Sequence, residues 1–360
     1  MKIRETVKRF KPYEWEPNNE AISAEVGISP EKIIRFDTNT SPFTPSKLLS
    51  ELGRKLSSLK VNEYPDTSYI SLREALSKYA GVSIEQISVT NGADEALDII
   101  AKTLVDPGTT VLVSVPTYSM YRITTEIMGG KVVSVFRRGD LSDDVGAIIN
   151  AAEGARAVFL CSPNNPTGNL TKRSTVLRLL REVNAPIIVD EAYFEFCGKT
   201  VADLVAKNEN LIVVRTLSKA FGLASVRVGY IIATSETVNI LNRVRPPNSL
   251  GIMSTTLAQA ALREVEYMEK NRALIIRERE RLREALKELG KIYVYPSEAN
   301  FFLVRFKYLS GSEVYRRLLR LGIVTRDVSD LPLLKNCLRL TVRTPEENDK
   351  LLEALAKITS

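Results

Sequence analysis

The chain has 360 residues, 44% hydrophobic and 26% charged, a composition that suits a water-soluble globular protein whose core needs no covalent staples. Its net charge is +7, yet no dense Lys/Arg run occurs, and stretches such as RERERLREALKELGK alternate the two signs as a solvated helix face does. Nucleic-acid binding is therefore not indicated, whereas small phosphorylated anions are natural ligands for such a surplus.

The chain contains no histidine. That count excludes Ser-His-Asp and Cys-His catalysis and His-containing zinc sites, so acid–base chemistry falls to Lys, Tyr, Asp, Glu or a cofactor, and no metal is expected. Cys161, Cys197 and Cys337 lie far apart without C-x-x-C spacing, which fits a reducing cytoplasm. No apolar run reaches the length of a membrane span, and MKIRETVKRFKPYEWEP has no apolar signal core, so no membrane association is expected.

The first 40 residues lack clear periodicity and read as an arm plus a piece of a smaller domain. From about residue 85 the pattern becomes α/β. ISVT (87–90) precedes the helical stretch NGADEALDIIAKTLV, and VLVSV (111–115) precedes TYSMYRITTEIMGG. VVSVF (132–136), AVFLC (157–161), IIVDE (187–191) and LIVVRT (211–216) follow at the same spacing. Continuous apolar strands of this kind suit a mostly parallel sheet covered on both faces. After about residue 250 the pattern changes to α+β: a long helical stretch (about 254–289), then IYVYPS, NFFLVRF, a helix over 311–321, IVTRDV, CLRLTV and a helix from Pro345. The expected division is 1–40 (arm and part of the small domain), 41–250 (large α/β domain) and 251–360 (small α+β domain).

Ligands of open α/β sheets sit beyond the carboxyl ends of the strands. Five polar stretches occupy those places: Asn91-Gly92-Ala93-Asp94, Pro116-Thr117-Tyr118, Ser162-Pro163-Asn164-Asn165, Asp190-Glu191-Ala192-Tyr193 and Thr216-Leu217-Ser218-Lys219. Each has a plain structural explanation. Asp94 and Glu95 suit ordinary helix caps, SPNNPTG a rigid turn, and a lone lysine at a strand end simple solvation. Each also has a chemical one. The glycine turn before a helix makes an anion site from free amides. A carboxylate ending an apolar strand, Asp190, needs a cationic partner such as a protonated pyridine. Lys219, among small and apolar residues, suits a Schiff base with an aldehyde, while Arg227, Ser218 and Thr216 suit a phosphate. An asparagine at a strand end can hold a phenolic oxygen. Aldehyde, pyridine nitrogen, phenol and phosphate together describe pyridoxal 5′-phosphate.

The stretches NEYPD (62–66), NGADEAL, PTYSMY, SPNNPTG, VDEAYFEF, RTLSKAFGLASVRVGY and GIVTRD…NCLRLTV, in this order, resemble fold-type I pyridoxal-phosphate enzymes, and within them the histidinol-phosphate aminotransferases. The resemblance implies a large domain with a mostly parallel central sheet, a smaller α+β domain, and transamination between L-histidinol phosphate and 2-oxoglutarate in histidine biosynthesis. The partners would be a phosphorylated amine and a 2-oxo acid. It implies that Lys219 carries the cofactor and shuttles the α-proton, that Asp190 keeps the ring nitrogen protonated, and that Asn165 and Tyr193 bind the phenolic oxygen. Tyr118 would stack on the ring. The amides of Ala93 and Asp94, with Thr216, Ser218 and Arg227, would cradle the phosphate. Tyr64 would reach that phosphate from a second subunit of a homodimer. Arg339 would bind the substrate carboxylate and Arg326 its phosphate, with Tyr13 and Asn39 in the same pocket. The chain departs from the family pattern at DTNTSPF (37–43), Ser225, Arg343 and Lys350. A broader aromatic amino-acid aminotransferase and a threonine-phosphate decarboxylase share the scaffold and stand as alternatives.

Overall fold

The structure is a computed structural model and describes residues 1–9 and 11–360. Thirteen strands occur among the described residues. In chain order they are β1 (Ile34–Arg35), β2 (Ile87–Thr90), β3 (Thr110–Val115), β4 (Lys131–Phe136), β5 (Ala157–Cys161), β6 (Ile187–Asp190) and β7 (Leu211–Thr216). They continue with β8 (Gly229–Ile232), β9 (Ile292–Val294), β10 (Phe301–Phe306), β11 (Ile323–Val324), β12 (Arg326–Asp327) and β13 (Cys337–Thr341).

Seven strands form the large sheet in the order β2-β8-β7-β6-β5-β3-β4. Strands β2, β5, β6 and β7 are buried at every residue, as their unbroken β-branched and leucine runs predict for a sheet covered on both faces. One face packs with the sheet's alternate residues Val158, Leu160, Ile187 and Val213 in the main core, and the other with Phe159, Ile188, Ile212 and Val214 against the helix Gly92–Leu104. Only β8 runs against the others, antiparallel to both β7 and β2. Its amino end therefore lies at the same edge as the carboxyl ends of β2, β3, β5, β6 and β7. The sequence reading missed β8, because its run GYII directly follows a loop motif and begins with glycine.

The second sheet has the order β12-β13-β10-β9 and is antiparallel throughout. A separate parallel pair joins β1 to β11, which ties the amino-terminal region to the carboxyl-terminal one. The helical stretch over 254–289 is two helices, Ile252–Arg263 and Val265–Glu288, broken at Glu264. No glycine or proline marks the break. Tertiary packing imposes it: the first helix lies on the helices Ser46–Lys55 and Ile70–Ala80, and the second on β9, β10 and the terminal helix Pro345–Thr359. Lys47 holds the Glu264 carboxylate at the corner, Nζ to Oε1 2.8 Å. The terminal helix begins as its sequence predicts, with Thr344 and Glu347 forming a capping box and Pro345 at the first helical position. Among the described residues, no helix is long and apolar enough to cross a membrane.

Candidate active site

A cavity of about 630 Å³ opens at the strand edge of the large sheet and is roofed by the small sheet and the arm. Every candidate residue lines it except Tyr64. Tyr64 is 87% exposed, in the loop before the helix Ile70–Ala80, and does not line the cavity of its own chain.

At one end lies the first turn of the helix Gly92–Leu104. Its leading N–H groups have no partner within the helix, and Ala93 and Asp94 line the cavity. Two glycines bring this turn onto the sheet. Gly92 has φ +76°, and a Cβ there would lie 2.5 Å from Arg227 Nη2. A Cβ on Gly229, the first residue of β8, would meet the Gly92 backbone and stand 2.7 Å from the Ala93 nitrogen. Arg227, with φ +55°, turns its guanidinium over Gly92 and pairs with Asp94, Nη2 to Oδ2 3.3 Å. Asp94 also accepts from Tyr118 Oη at 2.9 Å. The two acids of this turn thus divide the work, since it is Glu95 that accepts the Asn91 N–H, at 2.6 Å. Thr216 and Ser218 are buried and share a 2.9 Å hydroxyl contact, while the Thr216 hydroxyl also donates to the Val228 carbonyl.

Lys219 follows β7, with Nζ 3.4 Å from the Thr38 carbonyl and 5.6 Å from the centre of the Tyr193 ring. The protein mass around it, then the nearby Arg339 and Arg227 charges, lower its pKa to about 8. Asp190 ends β6. Its Oδ2 accepts from Tyr121 Oη at 2.7 Å and its Oδ1 from the Ala192 N–H at 3.0 Å. Burial nevertheless pushes the Asp190 carboxyl up to about 6, since these two donors only partly offset lost hydration. Such a group is poised to ionise beside a cation.

Tyr193 is buried in an edge-to-face contact with Phe301, and Asn39 Nδ2 donates to its hydroxyl at 3.1 Å. Asn39 itself has φ +52° and is pinned by Thr341 and Asn300, so it acts here as a brace for Tyr193. Asn165 Oδ1 accepts from Arg339 Nη1 at 2.7 Å, and Arg339 Nη2 donates to the Asp37 carbonyl. Arg339 Nε is buried without a partner. Burial, with Arg326 nearby, lowers the Arg339 pKa. Arg326 pairs with Glu16, Nη1 to Oε1 3.2 Å, and Tyr13 Oη donates to the same carboxylate at 2.8 Å.

Sequence reasoning missed four supports. Tyr121 is fully buried, stacks on Phe159 and fixes Asp190, but in PTYSMY it looks like any core aromatic. Asn164, the first asparagine of SPNNPTG, donates to the Pro116 carbonyl and Thr167 and accepts from Thr117, so it shapes the turn that presents Asn165. Thr38 and Glu16 belong to the arm, where no periodicity flagged them.

Residues 31–355 match the family described as aminotransferase class I and II. The chain is 39% identical over 361 residues to the histidinol-phosphate aminotransferase of Caldanaerobacter subterraneus subsp. tengcongensis, covering 99% of each chain. It is 39% identical over 357 residues to that of Thermococcus gammatolerans, covering 99% of this chain and 97% of the relative. Among solved structures, the histidinol-phosphate aminotransferase from Sinorhizobium meliloti in complex with pyridoxal-5′-phosphate superposes with a TM-score of 0.89 at 25% identity, over 99% of this chain and 97% of that one. An α/β edge that gathers a desolvated lysine, a strand-end carboxylate and an anion-binding turn, together with these likenesses over nearly the whole length, means that the chain belongs to the class I and II aminotransferases, within the histidinol-phosphate aminotransferase family.

Proposed function

We propose that this protein transfers the amino group of L-histidinol phosphate to 2-oxoglutarate, giving imidazole-acetol phosphate and L-glutamate, with pyridoxal 5′-phosphate as cofactor. The observation that carries the reading is a cavity with an anion-binding turn at one end, two arginines at the other and a lysine of lowered pKa between them. The residues present fit the cofactor. The close Gly92–Gly229 approach leaves backbone amides bare for a phosphate, and Asp190 is a buried carboxyl short of a counter-charge.

In this reading the Ala93 and Asp94 amides, the Thr216 and Ser218 hydroxyls and the Arg227 guanidinium hold the phosphate. Tyr118 covers the ring. Tyr193 Oη and Asn165 hold the phenolic oxygen. Asp190 keeps a proton on the ring nitrogen, and Lys219 Nζ binds the aldehyde carbon. The chemistry that bound pyridoxal phosphate supplies is that of an electron-withdrawing ring conjugated to an imine-forming carbonyl. Lys219 Nζ, once freed by the substrate amine, would take the proton from the substrate α-carbon and deliver it two atoms away, across the bridging nitrogen, to the former aldehyde carbon. Its pKa of about 8 suits both transfers near neutral pH. Arg339 fixes the 2-oxo acid's carboxylate by bidentate contact, and Arg326 the phosphate of the amine. Both substrates bring anions to one pocket in alternate half-reactions, so shared arginines are economical.

The same reading makes the protein a cytoplasmic homodimer in which Tyr64, exposed on its own subunit, reaches the neighbouring cofactor phosphate. It also divides the chain at about residues 40 and 250. The test is spectroscopic. Purified protein with pyridoxal phosphate should show a visible band that L-histidinol phosphate bleaches and 2-oxoglutarate restores, without release of carbon dioxide. A Lys219→Ala protein that keeps the band, or a wild type whose band ignores histidinol phosphate, would overturn the cofactor role or the donor respectively.

A further inference from the structure

The arm contributes a carboxylate, Glu16, to the part of the cavity where two arginines stand together. Arg326 and Arg339 are cross-strand partners, so two guanidiniums project side by side into the cavity. Arg339 rests on neutral oxygens, the Asn165 amide and the Asp37 carbonyl. The Asp37 carboxylate is already engaged by Arg35, at 2.6 Å. Arg326 instead meets the Glu16 carboxylate at 3.2 Å, and Tyr13 orients that carboxylate from 2.8 Å. The side chains of Arg326 and Glu16 are 30% and 27% exposed, enough screened to be a modest pair and enough enclosed to matter. Burial and the Glu16 carboxylate together push the Tyr13 phenol up to about 12, so it remains a hydrogen-bond donor throughout the working range.

Resting on the donor proposed above, we infer that Glu16 is a specificity residue: a resident counter-anion that neutralises Arg326 when the bound substrate has no distal anion and is displaced when it has one. An anionic tail must compete with Glu16 for Arg326, whereas an aromatic amino acid, whose single carboxylate takes Arg339, leaves the pair intact and no bare charge in the pocket. Glu16 thereby narrows the gap between phosphorylated and non-phosphorylated donors.

The experiment uses holoenzyme, so that the cofactor's own phosphate fills the cradle at Arg227, and titrates inorganic phosphate calorimetrically. In Glu16→Gln, phosphate should bind about two- to fivefold tighter than in wild type, the scale of one lost ion-pair competitor. KM for phenylalanine should rise at little-changed kcat. Both shifts should vanish in the double variant Glu16→Gln/Arg326→Gln. Unchanged or weaker phosphate binding in Glu16→Gln, or no measurable binding in either protein, would overturn the inference. Calorimetry needs no turnover, so a holoenzyme that ignores histidinol phosphate would sink the proposed donor and leave this result to be read separately.

Discussion

Arg326 and Arg339 stand directly opposite each other on the antiparallel strands β12 and β13. Like charges in that register repel, so a sheet bears them only where neutral oxygens, a carboxylate or a ligand stabilises them. The two residues are unequal. Arg339 is buried and Arg326 is partly exposed, which separates their expected effects.

Arg339→Gln should lower kcat/KM for 2-oxoglutarate and for donors with an α-carboxylate, phenylalanine among them, by about 10²-fold or more, the cost of a charge-assisted bidentate contact in a buried site. Arg326→Gln should cost a similar factor only for substrates with a distal anion and leave phenylalanine within a few-fold. Steady-state kinetics with paired donors checks both.

Tyr121→Phe keeps the stacking on Phe159 and removes only the hydroxyl that Asp190 leans on. That hydrogen bond lowers the Asp190 pKa against burial, so its loss should raise the pKa further. Cofactor affinity should fall by about five- to thirtyfold, from roughly 1–2 kcal/mol for one hydrogen bond to a charged group. Equilibrium dialysis of pyridoxal phosphate measures it, and the acid limb of the activity profile should move to higher pH.

Lys219→Met should stabilise the cofactor-free protein at neutral pH while abolishing activity. The native pKa of about 8 lies below the ordinary lysine value of 10.5, so between these values the unfolded chain binds more protons than the native one. Stability then rises with pH through that window, and the burial cost is largest below pH 8. The variant escapes it, gaining about 1–3 kcal/mol at pH 7 with allowance for water in the cavity. Thermal melts should show Tm above wild type at pH 7, with the difference closing toward pH 10.5. Equal Tm at pH 7 would contradict the argument.

Gly229→Ala should cost about 1–3 kcal/mol and most of the cofactor affinity, because the added methyl drives the Gly92 turn off the sheet. An alanine at Gly251, whose Cβ meets nothing within 4 Å, is the control. Calorimetry and cofactor titration of both variants make the test.

Much of this arrangement is legible in the sequence because it is local. AVFLC and LIVVRT mark β5 and β7 to the residue, and the polar stretch after each strand falls at the edge the sheet polarity dictates. What stayed hidden is long-range. Nothing near Glu264 signals the helix break, which arises from two packing surfaces. Nothing in IVTRDV shows that its first half pairs with β1 and its second with β13. Glu16 acquires meaning only from Arg326, 310 residues away.

The reversed strand β8 carries a consequence for synthesis of the chain. It is the link between β2 and β7, pairing residues 87–90 with 229–232. A nascent chain that ends before Ile232 has Gly92 and Asp94 but no seat for them, and a chain that ends before Arg326 has a cradle without a substrate clamp. Cofactor capture should therefore begin abruptly once β8 has left the ribosome, and substrate recognition should follow only when nearly the whole chain is made, so that a prematurely terminated product could bind pyridoxal phosphate and still turn nothing over.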